Sequence, residues 1–262
     1  LQGLLEALVQ SGCTKSSVIV GIGGGVVSNV TGLAAALLYR GVDFVEVPTT
    51  LLNLTDGVLS NKQAVNGGQG KNQFGVYHAP IFVWGDTAYL QTEPIEQWRS
   101  GVVEAVKNGL INDAGWFDHL ELVLTPDLSC VRDDPVGFCA DLISSKAQIL
   151  DKDPGERERC MVLEYGHTVG HAVEFLMDGQ LLHGMAVGVG MCAAAKIGSR
   201  LGITDDDVLP RQEEILGKGL GCPIDVPANC APDAITDIVR TDNKRRGSCD
   251  ARMVFVEKVG TV

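Results

Sequence analysis

Three of the five histidines fall between positions 167 and 183. His167 and His171 stand four residues apart in a stretch with helical periodicity, so both rings share one helix face. His183 follows at the start of the next helical stretch, in Leu182-His183-Gly184. Upstream, Glu104 and Lys107 share one face of a helix expected over 94–111. Two imidazoles and a carboxylate that leave coordination positions open are a standard way to hold a catalytic divalent cation. A lone histidine here would read as a hydrogen-bonded core residue. Three in one short span, flanked by glycines, favour a metal.

Two further groups could serve a cofactor or an anionic substrate. Gly23, Gly24 and Gly25 lie between a β-branched run and the start of a helix. Glycine there lets backbone N–H groups approach a pyrophosphate at the positive end of the helix. The spacing is not G-x-G-x-x-G, and a glycine turn alone can be a tight turn and nothing more. Asp56, Lys62, Asn66, Lys71 and Asn72 lie in a segment read as a long polar loop. Loops of that length in compact domains usually carry function, although any one of these lysines would also suit a solvated surface.

These groups need elements to hold them. A strand over 16–20, the glycine turn, a helix over 26–39 ending at Gly41, and a strand over 42–47 closed by Pro48-Thr49-Thr50 make a βαβ unit. Such a parallel pair implies a right-handed crossover. Residues 80–84 read as another strand. Beyond Glu93-Pro94 the pattern turns helical, over 94–111, 115–124, 135–150, 157–176 and 185–201. The expected fold is an α/β nucleotide-binding domain with a parallel sheet over 1–92, then a mainly α-helical domain for metal and substrate over 93–262. The chain opens on Leu1 inside a helix-like stretch and stops just after the strand-like 253–256, so it is expected to be truncated at both ends.

Composition narrows the partners. A formal charge of −12 argues against nucleic acid or an anionic membrane surface. No apolar run reaches membrane-spanning length. Eight cysteines without a CxxC pair read as small buried hydrophobes, which fits a reducing cytoplasm.

Taken together, GGGVVSNVTGLAAALLYRG, VEVPTTLL, DGVLSNKQAVN, GKN, EAVKNGLI, EYGHTVGHAVE and LHGMAVGVGM resemble the dehydroquinate synthase-like sugar-phosphate cyclases. The resemblance runs in order from about Val18 to Val256. It implies NAD on Gly23, Gly24, Gly25, Asn29, Thr49 and Thr50, with Lys62 and Lys71 beside them. It implies one divalent metal, Zn or Co, on Glu104, His167 and His183, which leaves His171 to the substrate. Asp56, Lys62, Lys71, Asn72, Lys107, Lys146, Glu156 and Glu164 become substrate-handling residues. Arg40 matches an arginine given by a neighbouring subunit, which implies a homodimer.

Within the family, dehydroquinate synthases have Asp at Asn29, Asn at Glu164, and at Cys160 an arginine used for the substrate carboxylate. Asn29, SNKQAVN, VKN and EYGHT resemble instead the 2-deoxy-scyllo-inosose synthase branch, which acts on glucose 6-phosphate in aminoglycoside antibiotic assembly. That branch implies transient oxidation by NAD, β-elimination of phosphate, re-reduction and intramolecular aldol closure. One departure is Met185, where the family usually has a glutamate after His183-Gly184; that position bears on the outer shell of the metal. Other readings are dehydroquinate synthase itself, a 2-epi-5-epi-valiolone synthase-type cyclase, a metal-dependent polyol dehydrogenase, or a non-catalytic scaffold.

Overall fold

The computed structural model describes residues 1–68, 70–153, 159–240 and 252–262. It divides into two compact units, Leu1–Glu93 and Pro94–Val262.

The first unit runs α1 (Gln2–Gln10), β1 (Val18–Gly23), α2 (Gly25–Leu37), β2 (Asp43–Pro48), α3 (Leu51–Thr55), β3 (Lys62–Gly67), β4 (Gly70–Tyr77) and β5 (Phe82–Val83). Strands β1, β2 and β5 form a parallel sheet in that order, with Val18 opposite Asp43 and Val45 opposite Phe82. The crossover helix α2 lies close to β1 because Gly21 has no side chain; a Cβ there would fall 2.5 Å from Thr31 Oγ1. Its small, buried Ala35 then packs with Leu38, Val42 and Phe44. The chain leaves α2 through Tyr39 and Arg40, both left-handed at φ 51° and 70°. That turn is tied down by the Tyr39 hydroxyl, which donates to the Cys13 carbonyl at 2.9 Å.

The segment expected as a long polar loop is instead α3, a short 3₁₀ turn and an antiparallel hairpin of β3 and β4. Its inward position is filled by Gln63, which is 3% exposed and seated over Gly32, where a Cβ would meet its side chain at 2.4 Å. A polar residue facing inward erases the alternation by which a strand is recognised.

The second unit runs α4 (Ile95–Asn112), α5 (Ala114–Val123), α6 (Ser129–Asp133), α7 (Pro135–Leu150), α8 (His167–Met177), α9 (His183–Leu201), α10 (Val208–Glu214) and α11 (Pro232–Val239). Helix α4 is buried without interruption from Ser100 to Ile111, which marks it as the core helix. Entry to the next helices is set by side-chain caps. Asp113 accepts from Trp116 N–H at 3.0 Å, and Asp134 accepts from Gly137 N–H at 2.9 Å ahead of Pro135.

Two expected elements differ. The helix read over 157–176 is a 3₁₀ turn (Arg159–Glu164) followed by α8, because Gly166 takes φ +77° and breaks the run. Residues 253–256 form no strand among the described residues; the segment lies along helices, with Phe255 beside Gly198 and Val256 buried. No helix among the described residues is long and apolar enough to cross a membrane.

Candidate metal centre and glycine turn

Glu104 sits in the middle of α4 and is 1% exposed. His167 is the first residue of α8, and His183 is the first of α9. One donor atom from each lies within 4.8 Å of the others. Glu104 Oε1 is 3.6 Å from His167 Nε2 and 3.8 Å from His183 Nε2. A tetrahedral ion with ligand bonds of about 2.0–2.1 Å separates its ligands by roughly 3.4 Å, so the carboxylate oxygen stands close to that spacing from each imidazole nitrogen.

The hydrogen bonds aim the lone pairs the same way. His167 Nδ1–H donates to the Tyr165 carbonyl at 3.1 Å; a carbonyl only accepts, so Nε2 is left unprotonated toward Glu104. His183 Nδ1 lies 2.8 Å from Glu174 Oε2, which fixes the same tautomer. Burial, then the neighbouring Lys107 ammonium, pushes the His167 pKa down to about 3, so its ring is neutral at physiological pH. Both carboxylate oxygens of Glu104 are buried; Oε2 is ion-paired with the buried Lys107, and Oε1 accepts no hydrogen bond. Leaving a buried acceptor without a donor costs about 1–3 kcal/mol, more for a charge. A cation between Oε1 and the two Nε2 atoms would relieve it. The donor set fits a divalent metal.

Glycines bring the starts of α8 and α9 together beside α4. A Cβ on Gly184 would lie 1.9 Å from the Ser100 carbonyl oxygen, and Gly184 N–H donates to Ser100 Oγ at 2.8 Å, so α9 begins hard against α4. A Cβ on Gly190 would lie 2.0 Å from the Gly166 carbonyl oxygen, which sets α9 against the start of α8.

Other expected residues of this unit gather nearby to different degrees. The His171 ring centre is 5.2 Å from that of His167, edge-on, and 5.9 Å from that of His183. Glu164 ends the 3₁₀ turn, and its charge raises the His167 pKa against the larger opposing causes. Lys146 is buried on α7. Glu156 lies outside the described residues. Cys160 is buried, with its N–H donating to Asp153 Oδ2 at 3.0 Å.

In the first unit, Gly23 ends β1, Gly24 precedes α2 and Gly25 opens it. The start of α2 has no side-chain cap, which leaves N–H groups for a ligand. Thr49 N–H donates to the Gly23 carbonyl at 2.9 Å, and Thr50 Oγ1 caps α3 by accepting from Asn53 N–H at 3.2 Å. Asn29 spends its amide inside the fold, donating to the Gly25 carbonyl at 2.9 Å and accepting from Ala64 N–H at 2.8 Å. Lys62 opens β3, while Lys71 and Asn72 lie on β4, Asn72 at φ 52°. Asp56 follows α3, and Arg40 is exposed after α2.

Two positioning residues escaped the sequence. Glu174 holds His183, and its signal was present: 167, 171 and 174 follow the i, i+4, i+7 rhythm of one helix face. Asn53 donates to the Gly23 carbonyl at 3.2 Å and to Ser28 Oγ at 2.7 Å, bracing the glycine turn. Nothing in its spacing marks it.

Family profiles described as 3-dehydroquinate synthase N-terminal and C-terminal match residues 1–100 and 101–245. The chain belongs to the dehydroquinate synthase family. Among curated members, it is 44% identical over 246 residues to a 2-deoxy-scyllo-inosose synthase of Streptoalloteichus tenebrarius, covering 94% of this chain and 63% of that one. With the enzyme of that name from Streptomyces kanamyceticus it shares 40% over 266 residues, covering all of this chain and 68% of the relative. The chain thus spans about two thirds of these relatives' length. A crystal structure of 2-deoxy-scyllo-inosose synthase complexed with carbaglucose-6-phosphate, NAD+ and Co2+ superposes with a TM-score of 0.88 at 35% identity, covering 99% of this chain and 71% of that one.

Proposed function

We propose that this member of the dehydroquinate synthase family works as a 2-deoxy-scyllo-inosose synthase. It converts D-glucose 6-phosphate to 2-deoxy-scyllo-inosose and phosphate, by transient oxidation, β-elimination, re-reduction and aldol closure, in aminoglycoside antibiotic biosynthesis. The observation that carries the reading is the convergence of Glu104 Oε1 and two imidazole Nε2 atoms, in a chain 40–44% identical to enzymes of that name. When bound, a divalent metal (Zn or Co) polarises a sugar hydroxyl, and NAD takes and returns a hydride.

This chain's own groups supply the rest. Glu104, His167 and His183 hold the metal, with His167 kept neutral by burial. Lys107, Lys146 and His171 bind the phosphate and move protons, and Glu164 contacts a sugar hydroxyl. Gly23, Gly24, Gly25, Asn29, Thr49, Thr50, Lys62 and Lys71 receive NAD, while Asp56 and Asn72 handle the sugar. Arg40, exposed on a left-handed turn, is offered to a second copy in a homodimer. A dehydroquinate synthase activity is disfavoured by Cys160: a buried thiol gives a substrate carboxylate no cation.

Incubation of the complete protein with glucose 6-phosphate and NAD, followed by NMR of the product, tests the proposal. The expected result is a deoxyinosose carbocycle with one phosphate released per turnover and no accumulating NADH. Phosphate left unreleased, or NADH rising in step with substrate loss, would point to a polyol dehydrogenase instead.

A further inference from the structure

We propose that Glu174 is the carboxylate that orients His183 toward the cation, making it a positioning residue one shell out from the metal. The inference rests on the metal reading above. His167 has two restraints on its ring: near-complete burial and the Tyr165 carbonyl on Nδ1. His183 lacks the first. Its side chain is 26% exposed, and it opens α9 with no side-chain cap at that end. Glu174 is the group that replaces the missing wall. Its Oε2 lies 2.8 Å from His183 Nδ1, while His183 Nε2 faces Glu104 Oε1 at 3.8 Å.

The two ring nitrogens point away from each other, so Glu174 grips the edge opposite the ion and is not itself a ligand. A carboxylate there holds the proton on Nδ1, fixes the ring plane and makes Nε2 a better donor. Glu174 reaches this place because 167, 171 and 174 fall on one face of α8, so the helix that supplies one ligand also steers the other. The residue after His183-Gly184 is Met185, which carries no charge. On this geometry the outer carboxylate for His183 comes from α8, not from position 185 on α9.

The test is cobalt binding by the complete protein and its E174A and E174Q variants, followed by calorimetry and the visible Co(II) spectrum. Thermal melting of the metal-free forms is read alongside. E174A is expected to bind Co(II) about 10–100-fold more weakly, with an altered spectrum and a metal-free melting curve close to wild type. E174Q, whose amide oxygen still accepts from Nδ1–H, is expected to recover part of the affinity. Wild-type affinity and spectrum in E174A would overturn this inference alone. Absence of Co(II) binding by the wild-type protein would overturn the metal reading and this inference with it. If E174A does not fold, E174Q decides: weakened cobalt with unchanged metal-free melting supports the role, and wild-type affinity rejects it.

Discussion

At the scale of single residues, the candidate centre is an electrostatic arrangement inside a helical core. Glu104 and Lys107 are one helix turn apart, and both are at most 2% exposed. Removing one partner of a buried pair leaves the other charged in a medium of low dielectric. E104A is therefore expected to destabilise the metal-free protein by about 3 kcal/mol in urea unfolding, with E104Q milder because it retains a polar acceptor. Both substitutions should also abolish tight cobalt binding, since neither offers an anionic ligand. Asn53 acts in the same way at the glycine turn. N53A removes donors to the Gly23 carbonyl and Ser28 Oγ, so it should cost about 1–2 kcal/mol of stability and weaken NAD binding in a fluorescence titration. The histidine cluster was legible in the sequence because helical spacing alone puts 167 and 171 on one face. Asn53 was not legible, because its partners lie 25 and 30 residues away and no local rule brings them together.

At the scale of elements, glycine decides where helices may meet. The 1.9 Å approach at Gly184 is to backbone, which has no rotamer to move aside. G184A should thus push the start of α9 away from α4. It is expected to cost on the order of 1–3 kcal/mol in thermal unfolding and to loosen cobalt binding through displacement of His183. Helix α3 carries a different device. Its Leu51 N–H donates to Glu93 Oε2 at 2.9 Å, yet burial pushes the Glu93 carboxyl up to about 7. The folded protein keeps this proton until about pH 7, whereas the unfolded chain releases it near the ordinary value of 4.5. Across that window the unfolded state binds fewer protons, so stability falls as pH rises. Urea midpoints measured at about pH 5 and about pH 8 should show this loss, and E93Q should flatten it. The strand, helix, strand order of the first unit could be read from β-branched runs and glycine punctuation. The hairpin of β3 and β4 could not, since Gln63 fills the position where an apolar residue would have announced a strand. The break at Gly166 was hidden for a related reason: one glycine inside a periodic stretch does not reveal its φ.

At the scale of the whole molecule, a chain of net charge −12 spends very few cations inside its fold. Lys107 and Lys146 are among the few cationic groups that are buried, while acidic groups outnumber basic ones over the chain. Three helices of the second unit contribute one ligand each to the proposed ion, so metal and fold should stabilise each other. Free metal at 100 times its dissociation constant adds about 2.7 kcal/mol to the folded state, and a chelator should lower the melting temperature correspondingly. A melting curve indifferent to chelator and to added cobalt would argue that these helices pack without an ion. The most direct check is anomalous X-ray scattering at the cobalt edge from crystals of the protein grown with Co(II). One peak is predicted, about 2.0–2.2 Å from Glu104 Oε1, His167 Nε2 and His183 Nε2. No peak at that point, or a peak bound by other residues, would contradict the account.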